Sequence, residues 1–98
     1  MADESVKMNN LKDKVRHFPP TPGVYVMRDI RGKVIYVGKA KNLRSRASSY
    51  FTGEKEGKTR FLVEKASDIE AILTGTEYEA LVLENNLIKR YSPRYNIN

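Results

Sequence analysis

The stretch Gly23-Val24-Tyr25-Val26-Met27-Arg28-Asp29-Ile30-Arg31-Gly32-Lys33-Val34-Ile35-Tyr36-Val37-Gly38 decides the fold. Residues 24–28 and 33–38 are rich in β-branched and aromatic side chains and flank Asp29-Ile30-Arg31-Gly32, the pattern of a β-hairpin. With those four residues as the loop, Arg28 faces Lys33. Counting back in equal steps then puts Tyr25 opposite Tyr36, both on one face. Upstream, Pro19, Pro20 and Pro22 fix φ and remove backbone donors, so the folded core begins there. Val6, Leu11 and Val15 before them predict a short helix. Residues 1–10 read as a poorly ordered extension, and residues 11–98 as one domain.

Downstream of the hairpin, residues 42–51 carry Leu43, Ala47 and Phe51 at helical spacing. Asn42, Arg46 and Tyr50 repeat every four residues on another face, expected to point outward. A polar loop at 53–57 precedes a second helix over 59–66, with Leu62 and Ala66 four apart. The stretch 68–74 alternates as a strand. The spacing of Ala80, Leu83 and Leu87, with Ile88 beside them, predicts the main core helix over 77–91, stopped by Ser92-Pro93.

Ninety-eight residues make one hydrophobic core and not two. A net charge of +6 favours an anionic partner, since neutralising phosphates releases condensed counterions. Without cysteine there is no thiolate nucleophile and no cysteine-held zinc, so a metal would take oxygen ligands. The polar first ten residues lack the apolar segment of a signal peptide, and no stretch reaches membrane-spanning length. The expected location is cytoplasmic.

Chemistry-bearing residues each have a plain structural alternative. Tyr25 and Tyr36 suit half-buried strand positions. The loop Gly38-Lys39-Ala40-Lys41-Asn42 adds lysines that meet phosphate and a glycine that lets backbone approach a ligand. Arg44 and Arg46 point to different sides of their helix, and a solvated basic face is an equally good reading of Arg44. Thr76-Glu77-Tyr78-Glu79 fits a capping box, in which Glu79 satisfies a backbone donor at the helix start. A glutamate there also suits a hard divalent cation. Asn86, seven residues on, returns to nearly the same face. His17, beside the prolines, reads as a boundary residue.

Gly23-Val24-Tyr25 followed by Tyr36-Val37-Gly38 resembles the motif of the GIY-YIG nuclease family, with valine replacing isoleucine in both halves. The likeness extends through residues 38–44, Ser49-Tyr50-Phe51, residues 79–89 and Pro93-Arg94-Tyr95-Asn96, and is similar to the UvrC-type N-terminal endonuclease domains of bacterial nucleotide excision repair. The resemblance implies an α+β fold, a small three-stranded antiparallel sheet flanked by helices. It implies a metal-dependent endonuclease that cuts damaged double-stranded DNA on the 3′ side of a lesion, with Mg²⁺ as cofactor and Mn²⁺ able to substitute. UvrB would contact the protein outside these residues and UvrA only indirectly. It further implies Tyr36 as general base, Glu79 as metal ligand and Arg46 as electrophilic partner of the phosphate, with Tyr25, Lys39, Tyr50 and Asn86 completing the site. Lys39, Lys41, Arg44 and Arg46 would hold the DNA backbone.

A tyrosine with a pKa near ~10 acts as a base at pH 7 at a cost of about 4 kcal/mol unless cations lower it. One glutamate without a second acid in the motif points to a single metal. The competing reading is a noncatalytic nucleic-acid-binding module, its basic loop on the backbone and its tyrosines stacking bases.

Overall fold

The run Val24-Tyr25-Val26-Met27 has no charged side chain, as expected of a strand covered on both faces, and all four residues are buried. In the computed structural model, which describes residues 4–96, this run is the centre of a three-stranded antiparallel sheet. The chain order is α1 (Glu4–Arg16), β1 (Gly23–Arg28), β2 (Val34–Ala40), α2 (Leu43–Ser49), α3 (Gly57–Lys65), β3 (Asp68–Leu73) and α4 (Glu77–Tyr91). In space the strands run β2-β1-β3. The α+β architecture expected from the sequence is the one observed.

The hairpin register differs from the four-residue loop. Asp29 accepts from the Arg31 and Lys33 amides at 2.9 and 3.0 Å through Oδ1, and Gly32 takes a φ of 83° that favours glycine. This draws Lys33 into the turn, so Val34 faces Arg28, and an irregularity between Met27 and Arg28 adds one more residue. Tyr25 therefore stands opposite Gly38, and Tyr36 opposite Met27. From Tyr36 onward the slip totals two residues and side chains keep their face, whereas Val34 and Ile35, before the irregularity, exchange sides. Tyr25 and Tyr36 still share one side of the sheet, as diagonal neighbours.

That side carries the larger core, where Leu11, Val15, Phe18, Leu43, Ala47, Leu62 and Ile69 pack around Tyr25 and Met27. The opposite side is covered by α4, and Val24, Val26, Val34 and Val37 meet Ala80 with Leu83, Leu87 and Ile88 half-buried. The role expected of α4 is corrected accordingly: among its residues only Ala80 is fully buried, and the bulk of the core lies under α1 to α3. A second correction concerns the N-terminus. Helix α1 passes residue 10 without a break, Met8 packs on the core, and Lys7 Nζ donates to the Glu64 carbonyl at 2.7 Å. Residues 4–10, read from the sequence as poorly ordered, thus belong to the folded unit; residues 1–3 lie outside the described residues. Helix α3 begins two residues earlier than the spacing predicted, at Gly57.

The proline run supplies acceptors to its neighbours. The carbonyls of Thr21 and Pro19 take the amides of Leu43 and Arg44, two donors at the start of α2 that no helical bond satisfies. Helix α4 is capped as its sequence foretells, by Thr76 at one end and a left-handed Ser92 (φ 42°) before the buried Pro93 at the other.

Candidate active site

Tyr25, Tyr36 and Tyr50 form one cluster, with ring centroids 5.6 to 6.2 Å apart. The hydroxyls of Tyr25 and Tyr50 are hydrogen-bonded at 2.8 Å. The Arg46 guanidinium lies 5.3 Å from the Tyr50 ring centre, a cation–π distance. Tyr50 was expected on the outward face with Arg46, but it is buried. The end of α2 explains the change. The amides of Tyr50 and Phe51 bond the carbonyls of Ala47 and Ser48, three residues back, and this tightened turn rotates both rings into the core.

Both glycines of the paired motif are close-approach positions. A Cβ on Gly38 would run into the Tyr25 ring, with Cε1 2.8 Å away, so the ring lies on the strand where a side chain would otherwise stand. A Cβ on Gly23 would meet Leu43 Cδ1 at 2.6 Å and the Ile72 carbonyl. The expectation that Gly38 lets backbone approach a ligand is therefore corrected: it makes room for a tyrosine.

Burial and the neighbouring Tyr50 hydroxyl push the Tyr36 phenol up to about 12, and burial raises Tyr25 further above the usual range. Arg46 acts in the opposite sense on Tyr36, favouring the phenolate. The folded chain holds these protons more tightly than the unfolded chain, whose phenols titrate near 10. The resulting stabilisation is complete below pH 10 and is lost as pH rises toward 12. A urea midpoint that falls over this interval, and falls less in Tyr36→Phe, checks the assignment.

Beside the cluster, a cavity of about 650 Å³ opens between the basic loop and the start of α4, with Lys39, Lys41, Ser45 and Arg46 on one wall and Glu77, Tyr78 and Leu81 on the other. Arg46 and Ser49 also border a neighbouring cleft that contains Tyr50 and Thr59, so this arginine joins the tyrosines to the cavity. Tyr36 faces a small recess with Tyr50, Lys58, Thr59 and Tyr95. Lys39, Lys41 and Arg46 thus meet as expected. Arg44 does not join them: its Nε donates to the Phe18 carbonyl at 2.8 Å, tying α2 to the proline run. Asn42 caps α2 by accepting the Ser45 amide at 3.0 Å.

Of the two readings of Glu79, the capping one is seen in the structure. Glu79 completes a capping arrangement: its amide donates to Thr76 Oγ1 at 3.1 Å, and its Oε2 accepts the Gly75 amide at 3.1 Å. Asn86 is exposed and, like Glu79, lies roughly 100° or more around α4 from the Ala80 stripe that meets the sheet. A second acid, Glu84, was not singled out from the sequence. It stands one turn beyond Ala80 on the sheet-facing stripe, and its Oε2 accepts the Lys39 amide at 3.1 Å. A charged residue among Ala80, Leu83 and Leu87 was the available signal, since such a stripe is otherwise apolar.

The same bond belongs to a series along the outer edge of β2. The Ile35 carbonyl accepts the Tyr95 amide at 3.0 Å, and Val37 exchanges two bonds of 2.8 Å with the Asn96 side-chain amide. Together with Glu84 on Lys39, these contacts cover the edge that bears Tyr36. Among the described residues no three His, Cys, Asp or Glu side chains converge as a metal-binding group.

The hairpin thus carries Tyr25 and Tyr36 with a glycine at each end of the paired motif, and the next helix brings Arg46 and Tyr50 against them. A sequence model of the UvrC-like GIY-YIG domain matches residues 21–97, and the chain belongs to that family. It is 60% identical over 89 residues to UvrABC system protein C of Carboxydothermus hydrogenoformans, a match covering 89% of this chain and 15% of that protein. The corresponding protein of Desulforudis audaxviator is 55% identical over 85 residues, covering 87% and 14%. The chain thus spans about one seventh of the length of these relatives. The crystal structure of the GIY-YIG N-terminal endonuclease domain of UvrC from Thermotoga maritima, bound to its catalytic magnesium, superposes with a TM-score of 0.81 at 41% identity, covering 90% of this chain and 97% of that one. Among the described residues no helix is long and apolar enough to cross a membrane.

Proposed function

We propose that this domain is a Mg²⁺-dependent DNA endonuclease that hydrolyses one phosphodiester bond. The observation that carries the reading is the tyrosine cluster with Arg46 against it, Arg46 in turn lining the basic cavity together with Lys39, whose amide Glu84 accepts. Phosphodiester hydrolysis needs an activated water, neutralisation of the phosphoryl oxygens and relief of charge on the leaving alkoxide.

Glu84, rather than Glu79, is the residue assigned to the metal. Each acid gives Oε2 to one backbone amide and keeps Oε1, but Glu84 does so at Lys39 in the basic loop, on the strand that bears Tyr36, whereas Glu79 does so at Gly75 before the start of α4. A lone carboxylate suits Mg²⁺, which keeps most of its water shell, and Mn²⁺ would substitute. When bound, such an ion supplies Lewis-acid stabilisation of charge at the phosphate. Tyr36, after giving its own phenolic proton to solvent, would take the proton of the attacking water at the phenolate oxygen. With its phenol raised to about 12, it gains this ability only with positive charge close by, to which Arg46 contributes. Arg46 and Lys39 brace the non-bridging oxygens, and Tyr25 and Tyr50 fix the position of Tyr36 through the ring cluster. Lys41 extends the contact along the backbone. Asn86, exposed on the outer side of α4, is left without a role in this arrangement.

Placement of the cut on the 3′ side of a lesion, action on damaged duplex DNA with UvrB and UvrA, a cytoplasmic location and membership of a longer chain belong to the same proposal and rest on the family. Nicking of supercoiled plasmid by the purified chain tests the reading. Open circles are expected with Mg²⁺ or Mn²⁺ and not with chelator. Salt-sensitive DNA binding without metal-dependent nicking, on plasmid and on a pre-opened lesion duplex alike, would instead establish a noncatalytic binding module.

A further inference from the structure

The cavity beside the basic loop has two unlike walls, and the proposed chemistry uses only one. Lys39, Lys41 and Arg46 make the cationic wall. On the other, Tyr78 leaves 73% of its surface exposed and Leu81 leaves 40%. Glu77, the one acid in the lining, stands on this second wall and directs phosphates toward the first.

The backbone that carries Tyr78 is fixed, although its ring is exposed. Tyr78 lies between Thr76 and Glu79, whose two 3.1 Å bonds pin the start of α4. A DNA strand alternates charged phosphates with flat apolar bases, so a groove that accepts it needs cations on one side and a flat apolar surface on the other. We propose that Tyr78, with Leu81 beside it, contacts the nucleoside of the bound strand: a base or sugar packs on the Tyr78 ring while the adjoining phosphates lie on Lys39, Lys41 and Arg46. This inference rests on the reading of DNA as substrate. It also gives the Glu79 cap a purpose, since the cap fixes the wall from which Tyr78 projects.

Equilibrium binding of the chain to a gapped duplex oligonucleotide, measured in chelator over a range of salt, tests it. Tyr78→Ala is expected to weaken binding on the order of tenfold, the scale of one lost stacking contact. The salt slope should stay at the wild-type value, because no phosphate contact is lost. Tyr78→Trp should restore affinity, while Lys41→Ala should weaken binding and reduce the slope by about one. Wild-type affinity in Tyr78→Ala, a changed slope, or failure of Tyr78→Trp to rescue overturns the inference. Absence of salt-dependent binding by the wild type overturns the DNA reading itself, which is a distinguishable result.

Discussion

Glu84→Gln is expected to reduce Mg²⁺-dependent cleavage on the order of a thousandfold or more, while Glu79→Gln stays within a few-fold of wild type. Glutamine at position 84 keeps an oxygen for the Lys39 amide, now at 3.1 Å from Glu84 Oε2, and removes only the charge. The loss then falls on the cation, whose stabilisation of the reacting phosphate is worth several kcal/mol, each ~1.4 kcal/mol being a tenfold change in rate. At position 79 the glutamine still satisfies the capping pattern, so the expected cost is about 0.3–1 kcal/mol of stability from the lost interaction with the helix dipole. Cleavage rates and titration calorimetry with Mg²⁺ on both variants separate the two acids. Loss of cutting and of metal binding in Glu79→Gln alone would return the metal to Glu79.

Gly38→Ala is the second large effect, and it works through packing. The added methyl would occupy the place of the Tyr25 ring, which is 1% exposed, bonded through its hydroxyl to Tyr50 and flanked by Tyr36. The ring cannot swing into solvent without dismantling the cluster. Overpacking of this kind costs about 3 kcal/mol, and urea denaturation should register it. Cleavage should fall even where the variant is fully folded, because displacement of Tyr25 moves its neighbours. A variant with wild-type stability and activity would show that the ring is free to relocate, contrary to its burial.

The parts of this fold that were legible in the sequence are those set by local chemistry. The bounds of α4 follow from the Thr76 cap, the Ala80-Leu83-Leu87 stripe and the Ser92-Pro93 stop, each contained within a few residues. The shared face of Tyr25 and Tyr36 was legible because strand side chains alternate, and an even slip leaves alternation intact. Their register was not, since it depends on the Asp29 side chain entering the turn and on one irregular step in the ladder. Tyr50 escaped because the tightened turn at the end of α2 breaks the four-residue repeat used to place it. Among the candidate site residues named by motif, the tyrosines cluster beside Arg46, and Arg46 shares its cavity with Lys39. Glu79 attracted the metal role because a carboxylate near a helix start suits either a cap or a cation, and only the fold shows the cap engaged. Glu84 was hidden inside a run that reads as core.

The covered edge of β2 has a consequence for how the chain folds. Residues 23–40 contain everything needed to form the hairpin, yet the outward amide and carbonyl of Val37 wait for Asn96, 59 residues later. Contacts between residues so distant in sequence close late, because the intervening chain must first be ordered. Until then the strand bearing Tyr36 presents bare backbone to any passing β-strand. The tail from Pro93 to Asn96 is thus the final fastening of the domain. Glu84, on the helix that leads into this tail, reaches the same edge at Lys39, so the acid proposed for the metal and the shielding of the strand both depend on closure between distant parts of the chain.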